Sequence, residues 1–187
     1  MIRILVLVSL FLFTTCNQND LKIGDIAPAF TKMEWIQSPP LILSDLKGKV
    51  VLIRWWTDQC IYCVQSADAL NTWHKSYSDS GLVVIGLYHP KPLPKQCDIE
   101  EIREFAMEKE FQFPIAIDNQ WTNLKKFKAE LNPENFTSLS FLIGKDSKII
   151  YIHPGGEYHE TLEKGHENCV RDYYEIQQRI QLAIRSK

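Results

Sequence analysis

Apolar positions along this chain fall into two kinds of pattern: short continuous runs, and stripes three to four residues apart. Val50 to Trp56 is a run, β-branched and aromatic with little alternation, as a strand buried on both faces requires. Val64, Ala67, Leu70, Trp73 and Tyr77 then recur at helical spacing. Gly81 to Tyr88 predicts a second buried strand, ending at His89-Pro90, and the proline-rich stretch from Pro90 to Pro94 predicts a loop. Ile99, Ile102, Phe105 and Ala106 stripe a helix over about 98–110, with charges on its other face. Pro114 to Ile117 is a short strand breaking into Asp118-Asn119, and Trp121, Leu124 and Phe127 mark a short helix. Phe141-Leu142-Ile143 and Lys148 to Ile152 flank Gly144-Lys145-Asp146-Ser147 as a hairpin. Gly155-Gly156 opens a loop, and Val170, Tyr173, Ile180 and Ile184 stripe a closing helix. Ahead of the first long strand, Ile26 to Phe30 and Leu41-Ile42-Leu43 predict two short strands, and Ser44 to Gly48 a turn or a single helical turn. Alternating β and α predicts an α/β protein, a mixed sheet covered by helices on both faces.

At 187 residues the chain fits one domain and a short leader, and 45% hydrophobic with 24% charged residues is ordinary for a globular protein. A net charge of −2 without a basic stripe argues against a nucleic-acid partner. Met1-Ile2-Arg3 followed by the apolar stretch from Ile4 to Phe13 has the form of a secretory signal, too short to span a bilayer, which takes ~20 residues. The stretch ends at Phe13-Thr14-Thr15-Cys16, which resembles a bacterial lipobox, with Thr15 where Gly or Ala is usual and Phe13 where Leu is usual. The resemblance implies a signal peptide over 1–15, a lipid on Cys16, a tether over 16–22 and a folded domain over 23–187, held at the periplasm-facing membrane of a bacterial envelope. The alternative is an ordinary signal peptide with a chance cysteine; both export the protein.

Candidate chemistry concentrates at Cys60-Ile61-Tyr62-Cys63, where the first long strand gives way to a helix. Two thiols one turn apart can close into a disulfide and reopen. At a helix N-terminus free amides and the dipole favour a thiolate, which can lower a cysteine pKa from ~8.5 to roughly 3.5–7.5. An inert disulfide or half of a zinc site are the alternatives. Zinc calls for a second Cys or His pair at ligand spacing, and none is found, so no metal is expected. His159 and His166 sit in polar loop sequence with nothing around them to suggest a site. Setting Cys16 aside leaves Cys97 and Cys169, which in an oxidising compartment form either a second bridge or two separate thiols.

Several stretches around the CxxC resemble the thioredoxin-like superfamily, specifically the exported TlpA/ResA-like redoxins. Gly24-Asp25-Ile26-Ala27-Pro28-Ala29-Phe30 is similar to that family's "GxxAPxF", Leu43 to Leu52 to its "LsdlkGKvvL", and Gly81 to Gly86 to its "GlvVIG". Phe113 to Asn119 resembles the "yPvavDn" of the DipZ-type and NHL-repeat-associated thioredoxin domains, Trp121 falls on their following tryptophan, and Gly155-Gly156-Glu157-Tyr158 echoes their "GeGxY". The likeness covers about residues 23–184. It implies a thioredoxin-like fold with an N-terminal β-strand extension, and dithiol–disulfide exchange with protein substrates without a cofactor. Cys60 would be the exposed nucleophile and Cys63 the buried resolving thiol. The family also implies a reductant fed by a membrane electron donor. Three positions depart from it: Gln59 stands where Trp usually precedes the first cysteine, Arg54 where thioredoxins carry a buried acid, and Ser138 at the cis-proline position. Arg54 points toward the dithiol, to solvent or to a carboxylate; Trp55 and Trp56 read as one core residue and one, Trp56, shielding the dithiol.

Other chemistries use the same residues. Thr57-Asp58-Gln59-Cys60 matches the T-x-x-C of a peroxiredoxin site, which also needs a proline where Ile53 stands. A copper-handling redoxin would add His89 or His153 to the two thiolates. A non-catalytic surface module on the same fold is a further alternative.

Overall fold

The computed structural model describes residues 21–91, 97–128 and 138–186. The leader, Cys16 and most of the tether therefore lie outside the described residues, as do Pro92 to Pro94 and Thr137. Six strands form one sheet: β1 Glu34–Ile36, β2 Val50–Trp56, β3 Leu82–Tyr88, β4 Ile115–Ile117, β5 Ser140–Ile143 and β6 Ile149–His153, in the order β1-β4-β3-β2-β5-β6. β2, β3 and β4 run parallel, while β1 pairs antiparallel with β4, β5 with β2, and β6 with β5. The helices are α1 Ile61–Gln65, α2 Ala67–Tyr77, α3 Ile99–Glu108, α4 Thr122–Phe127 and α5 Glu167–Arg185. Among the described residues no helix is long and apolar enough to cross a membrane.

The unbroken apolar run of β2 is explained by its place between β3 and β5 with both faces covered. Val50, Leu52 and Trp56 join a cluster with Leu70 and Trp73 of α2, Ala106 of α3, and Ile176 and Ile180 of α5. Val51, Ile53 and Trp55 join the opposite cluster with Trp121, Leu124, Phe127 and Phe141. Each such side chain, fully buried, contributes about 1.5–3 kcal/mol. Trp73 is stacked between Tyr158 and Tyr173, with centroids 5.4 and 5.2 Å away, and this joins α2 to α5 through the segment after β6. Gly86 in β3 is required by close approach: a Cβ there would lie 2.8 Å from Phe113 Cε2 and 3.0 Å from Trp56 Nε1.

The N-terminal extension differs from its sequence-based expectation. Ile26 makes a single bridge to Lys148, Leu43–Leu46 is a 3-10 turn, and the extra strand is Glu34–Ile36, on the sheet edge beside β4. Ala27, Phe30, Leu41, Leu43 and Leu46 are apolar because they pack side-on against the second cluster, with no ladder. Pro28, Pro39 and Pro40 lack the amide a ladder needs.

Candidate active site

β2 delivers the chain to the dithiol at the C-terminal end of the parallel strands. Past Trp56 the backbone turns, with the Cys60 amide donating to Thr57 O at 3.2 Å. Cys60 is the extended N-cap residue of α1 (φ −102°, ψ 101°), and its sulfur accepts the Cys63 amide at 3.2 Å. An amide aimed at sulfur stabilises negative charge there, so this placement favours a thiolate on Cys60 once the pair is reduced. Cys60 and Cys63 form a disulfide with Cα atoms 5.3 Å apart. In this oxidised form the sequence-based picture of an exposed Cys60 is corrected. Cys60 is 5% and Cys63 2% exposed, while Ile61 and Tyr62 between them are 62% and 49% exposed. The helix start turns both sulfur-bearing residues inward and leaves two apolar side chains as the outer surface of the motif.

Arg54 resolves to none of its three expected orientations. It is buried on the α2 and α5 side of the sheet, with Nη1 donating to Ser138 O (2.6 Å) and Ser140 Oγ (3.2 Å), and Nη2 to Gly156 O (2.7 Å) and Ser66 Oγ (3.3 Å). Its guanidinium carbon lies 4.6 Å from the Tyr158 ring centroid. Burial lowers its pKa from the ordinary value, partly offset by Tyr158, and guanidinium stays protonated in proteins. All four acceptors are neutral, so among the described residues no carboxylate pairs with this enclosed charge. Such a charge favours any anion that forms nearby.

Ser66, missed in the sequence, is the hub of this arrangement. It stands at the junction of α1 and α2, three residues past Cys63, and is fully buried. Its hydroxyl donates to Tyr62 O at 2.8 Å and accepts from the Tyr158 amide at 3.0 Å and from Arg54. One donor and two acceptor sites are therefore all used. Ser138, at the position of the family's cis-proline, is buried; its hydroxyl accepts the Gly156 amide at 2.8 Å and its carbonyl the Arg54 bond. Three separate loops thus converge behind the dithiol.

The remaining flanking residues have defined places. Gln59 is exposed and reaches Lys91 O at 3.4 Å across the loop after β3. Trp56 lies in the buried cluster that contains both cysteines, stacked on Phe105 and edge-on to Tyr88 and Phe111, whereas Trp55 faces the other side of the sheet. Thr57 donates to Asp58 at 2.9 Å, and Asp58 also accepts from Tyr88 at 3.0 Å. Burial, then Cys97 and Asp58, raise the Tyr88 pKa, which keeps its hydroxyl protonated as donor. Trp56, Asp58 and Tyr88, with Cys97 and Phe105, line a cavity of about 210 Å³.

The two histidines considered for copper have other neighbours. His153 is buried against Asp172 of α5 (3.2 Å) and accepts the Gly155 amide; burial lowers its pKa more than Asp172 raises it, so the ring is neutral at pH 7 and its contact with Asp172 is a hydrogen bond rather than an ion pair. His89 packs edge-on to Trp121 on the other side of the sheet. Cys97 and Cys169 are not bridged: Cys97 lines the cavity beside Tyr88, and Cys169, on the first turn of α5, donates to Glu157 at 3.1 Å. Burial and Glu157 push the Cys169 thiol up to about 11. The expectation that nothing surrounds His159 and His166 is also corrected, since the loop brings both to Glu157 and Cys169. The spacing hid this grouping, because the four residues are spread over two turns of loop and a helix start.

Comparison with known proteins places this geometry among its relatives. The model of the AhpC/TSA family matches residues 23–152. Protein DipZ of Mycobacterium bovis is 31% identical over 134 residues, which are 68% of this chain and 18% of DipZ, so the chain spans under a fifth of that relative. Thiol-disulfide oxidoreductase ResA of Bacillus thuringiensis subsp. konkukian is 28% identical over 148 residues, 79% of each protein. A solved structure from Chlorobium tepidum, described as thiol:disulfide interchange protein DsbE, matches with a TM-score of 0.69 at 22% identity, covering 88% of this chain and 99% of that one. At that identity the likeness establishes the fold, which is thioredoxin-like.

Proposed function

This chain belongs to the AhpC/TSA family, and we propose that it works there as a thiol–disulfide oxidoreductase, exchanging its Cys60–Cys63 pair with disulfides of protein substrates. The observation that carries this reading is Cys60 as N-cap, its sulfur accepting the Cys63 amide. The name of the relative ResA supports it.

In the reducing direction the Cys60 thiolate attacks one sulfur of a substrate disulfide, forming a mixed disulfide and releasing the other substrate sulfur as a thiolate. The Cys63 thiolate then attacks Cys60, closing the intramolecular disulfide and releasing the second substrate thiolate. Two electrons pass to the substrate and the protons equilibrate with solvent. Ile61 and Tyr62 offer the apolar surface on which an extended substrate segment docks. The reducing direction, and a membrane electron donor that restores the dithiol, rest on the resemblance to TlpA/ResA-like redoxins. Export with a lipid on Cys16 is supported by the apolar run that precedes it.

Peroxide reduction is disfavoured by two observations. Ile53, where a peroxiredoxin has proline, is buried in the sheet opposite Ile85 and Phe141, and the Thr57 hydroxyl is turned to Asp58.

Thiol trapping across a glutathione redox series tests the proposal. Cys60 and Cys63 are expected to interconvert as a pair, and Cys60→Ser to abolish disulfide-reductase activity. Independent titration of the two thiols, or full activity in Cys60→Ser, would sink it.

A further inference from the structure

The segment after β6 and the first turn of α5 bring together four side chains of metal-binding type, away from any role in exchange. We propose that Glu157, His159, His166 and Cys169 form a four-coordinate site for a zinc-class divalent cation.

The donor set is one thiol, two imidazoles and one carboxylate, a borderline-soft combination suited to zinc. With metal–ligand distances of ~2.0–2.3 Å, donors at the corners of a tetrahedron lie roughly 3.3–3.7 Å apart. Glu157 Oε1 is 3.1 Å from Cys169 Sγ, 3.5 Å from His166 Nδ1 and 3.8 Å from His159 Nε2, and Cys169 Sγ is 3.8 Å from His166 Nδ1. One donor atom from each of the four lies within 4.8 Å of all the others. Four of the six separations thus lie at or within about 0.2 Å of tetrahedral values, and the other two lie within 4.8 Å.

Hydrogen bonding leaves the cluster incomplete. His159 Nε2 and Glu157 Oε2 are buried with no hydrogen-bond partner among the described residues. A buried polar atom left unpaired is destabilising, and here the unpaired His159 nitrogen is one of the four converging donors. A divalent ion would satisfy it and neutralise the carboxylate and a Cys169 thiolate together. Binding requires Cys169 to lose its proton to solvent; no electron is transferred.

The scaffold presets both halves of the site. His166 is the N-cap of α5 and Cys169 lies three residues on, so one helical turn presents both. Tyr158, between Glu157 and His159, is held by its amide to Ser66 and by its ring against Trp73. The Tyr174 hydroxyl closes the loop onto α5 by bonding Glu160. A surface cleft lined by Asp68, Thr72, His159 and His166 supplies an entry path. Four protein ligands leave no open position, so the site is structural rather than catalytic. It would fasten to α5 the segment whose Gly156 and Tyr158 hold Arg54 and Ser66.

The test uses the full chain with Cys60–Cys63 oxidised, so that the dithiol does not compete, titrated with Zn²⁺ against a chromophoric chelator and separately with Co²⁺. One equivalent is expected to bind, and Co²⁺ is expected to give tetrahedral visible bands with a thiolate charge-transfer band. His159→Gln and Cys169→Ala should each weaken Zn²⁺ binding about tenfold or more, Cys169→Ala should remove the charge-transfer band, and Cys97→Ala should change nothing. Circular dichroism and the glutathione midpoint of Cys60–Cys63 report whether each variant is folded; if Cys169→Ala is not, His159→Gln decides. No stoichiometric binding, or binding unchanged in the folded variants, overturns the site whatever the exchange assay returns.

Discussion

Ser66→Ala removes one oxygen atom from the junction of α1 and α2, and its cost can be worked from the bonds that oxygen makes. Tyr62 O loses the hydroxyl but keeps the Ser66 amide at 3.2 Å, so that carbonyl stays satisfied. Arg54 Nη2 loses a long 3.3 Å bond and keeps Gly156 O at 2.7 Å. The Tyr158 amide, whose acceptor at 3.0 Å is the Ser66 hydroxyl, is left buried and unpaired. An orphaned buried donor costs about 1–3 kcal/mol, and the weakened bond to a charged group adds roughly 1 kcal/mol. The better helix propensity of Ala returns about 0.5 kcal/mol. The expected loss is about 1.5–3.5 kcal/mol, or roughly 3–14 °C in Tm for a domain of this size. Urea unfolding of the oxidised protein measures it, with an unchanged m-value as the condition for comparison. Ser44→Ala, at an exposed serine whose hydroxyl bonds its neighbour Asp45, is the control and should stay within about 0.5 kcal/mol. A Ser66→Ala loss no larger than the control would refute the reading of Ser66 as the shared anchor of Tyr62, Arg54 and Tyr158.

Two further expectations follow from the same region. Arg54→Met removes the enclosed charge, so the pH profile of Cys60 alkylation in the reduced protein should move to higher pH, with Arg54→Lys intermediate; an unmoved profile in a folded Arg54→Met protein would show that the guanidinium only braces the loops. Burial lowers the pKa of His153 and of His74. The native state therefore resists protons that the unfolded chain accepts near pH 6.5, and their contribution to stability is complete above that pH and lost as pH falls toward the lower native values. Urea unfolding at pH 7.5 and 5.5 should show this decline, and His153→Gln should flatten it; a slope untouched by both His153→Gln and His74→Gln would be incompatible with imidazoles whose native pKa is lowered.

Elements whose apolar pattern reflects burial on a defined face were legible in the sequence. β2 and β3 are continuous runs because helices cover both faces, and α3, α4 and α5 carry stripes because each packs one face on the sheet. The thiol pair was legible because its chemistry is local to four residues. The strands expected at 26–30 and 41–43 failed for a reason that pattern cannot encode: apolar side chains packed against a core from a proline-interrupted loop look the same as those of a strand. Ser66 looked like an ordinary helix serine, since its partners lie 12 and 92 residues away. Glu157, His159, His166 and Cys169 lack the short paired spacing of a familiar metal motif, and only the fold of the loop onto α5 gathers them.

The bonds of Arg54 also set an order of events. Three of its four acceptors lie 84, 86 and 102 residues further along the chain. During synthesis from the N-terminus, both thiols and the guanidinium are therefore present long before β5 and the segment after β6 exist to enclose them. Until that late docking the cation is hydrated and its field is screened by water. On the role that Arg54→Met tests, full tuning of the dithiol would belong to the finished chain, and a growing one would carry the reactive pair before its guanidinium is enclosed.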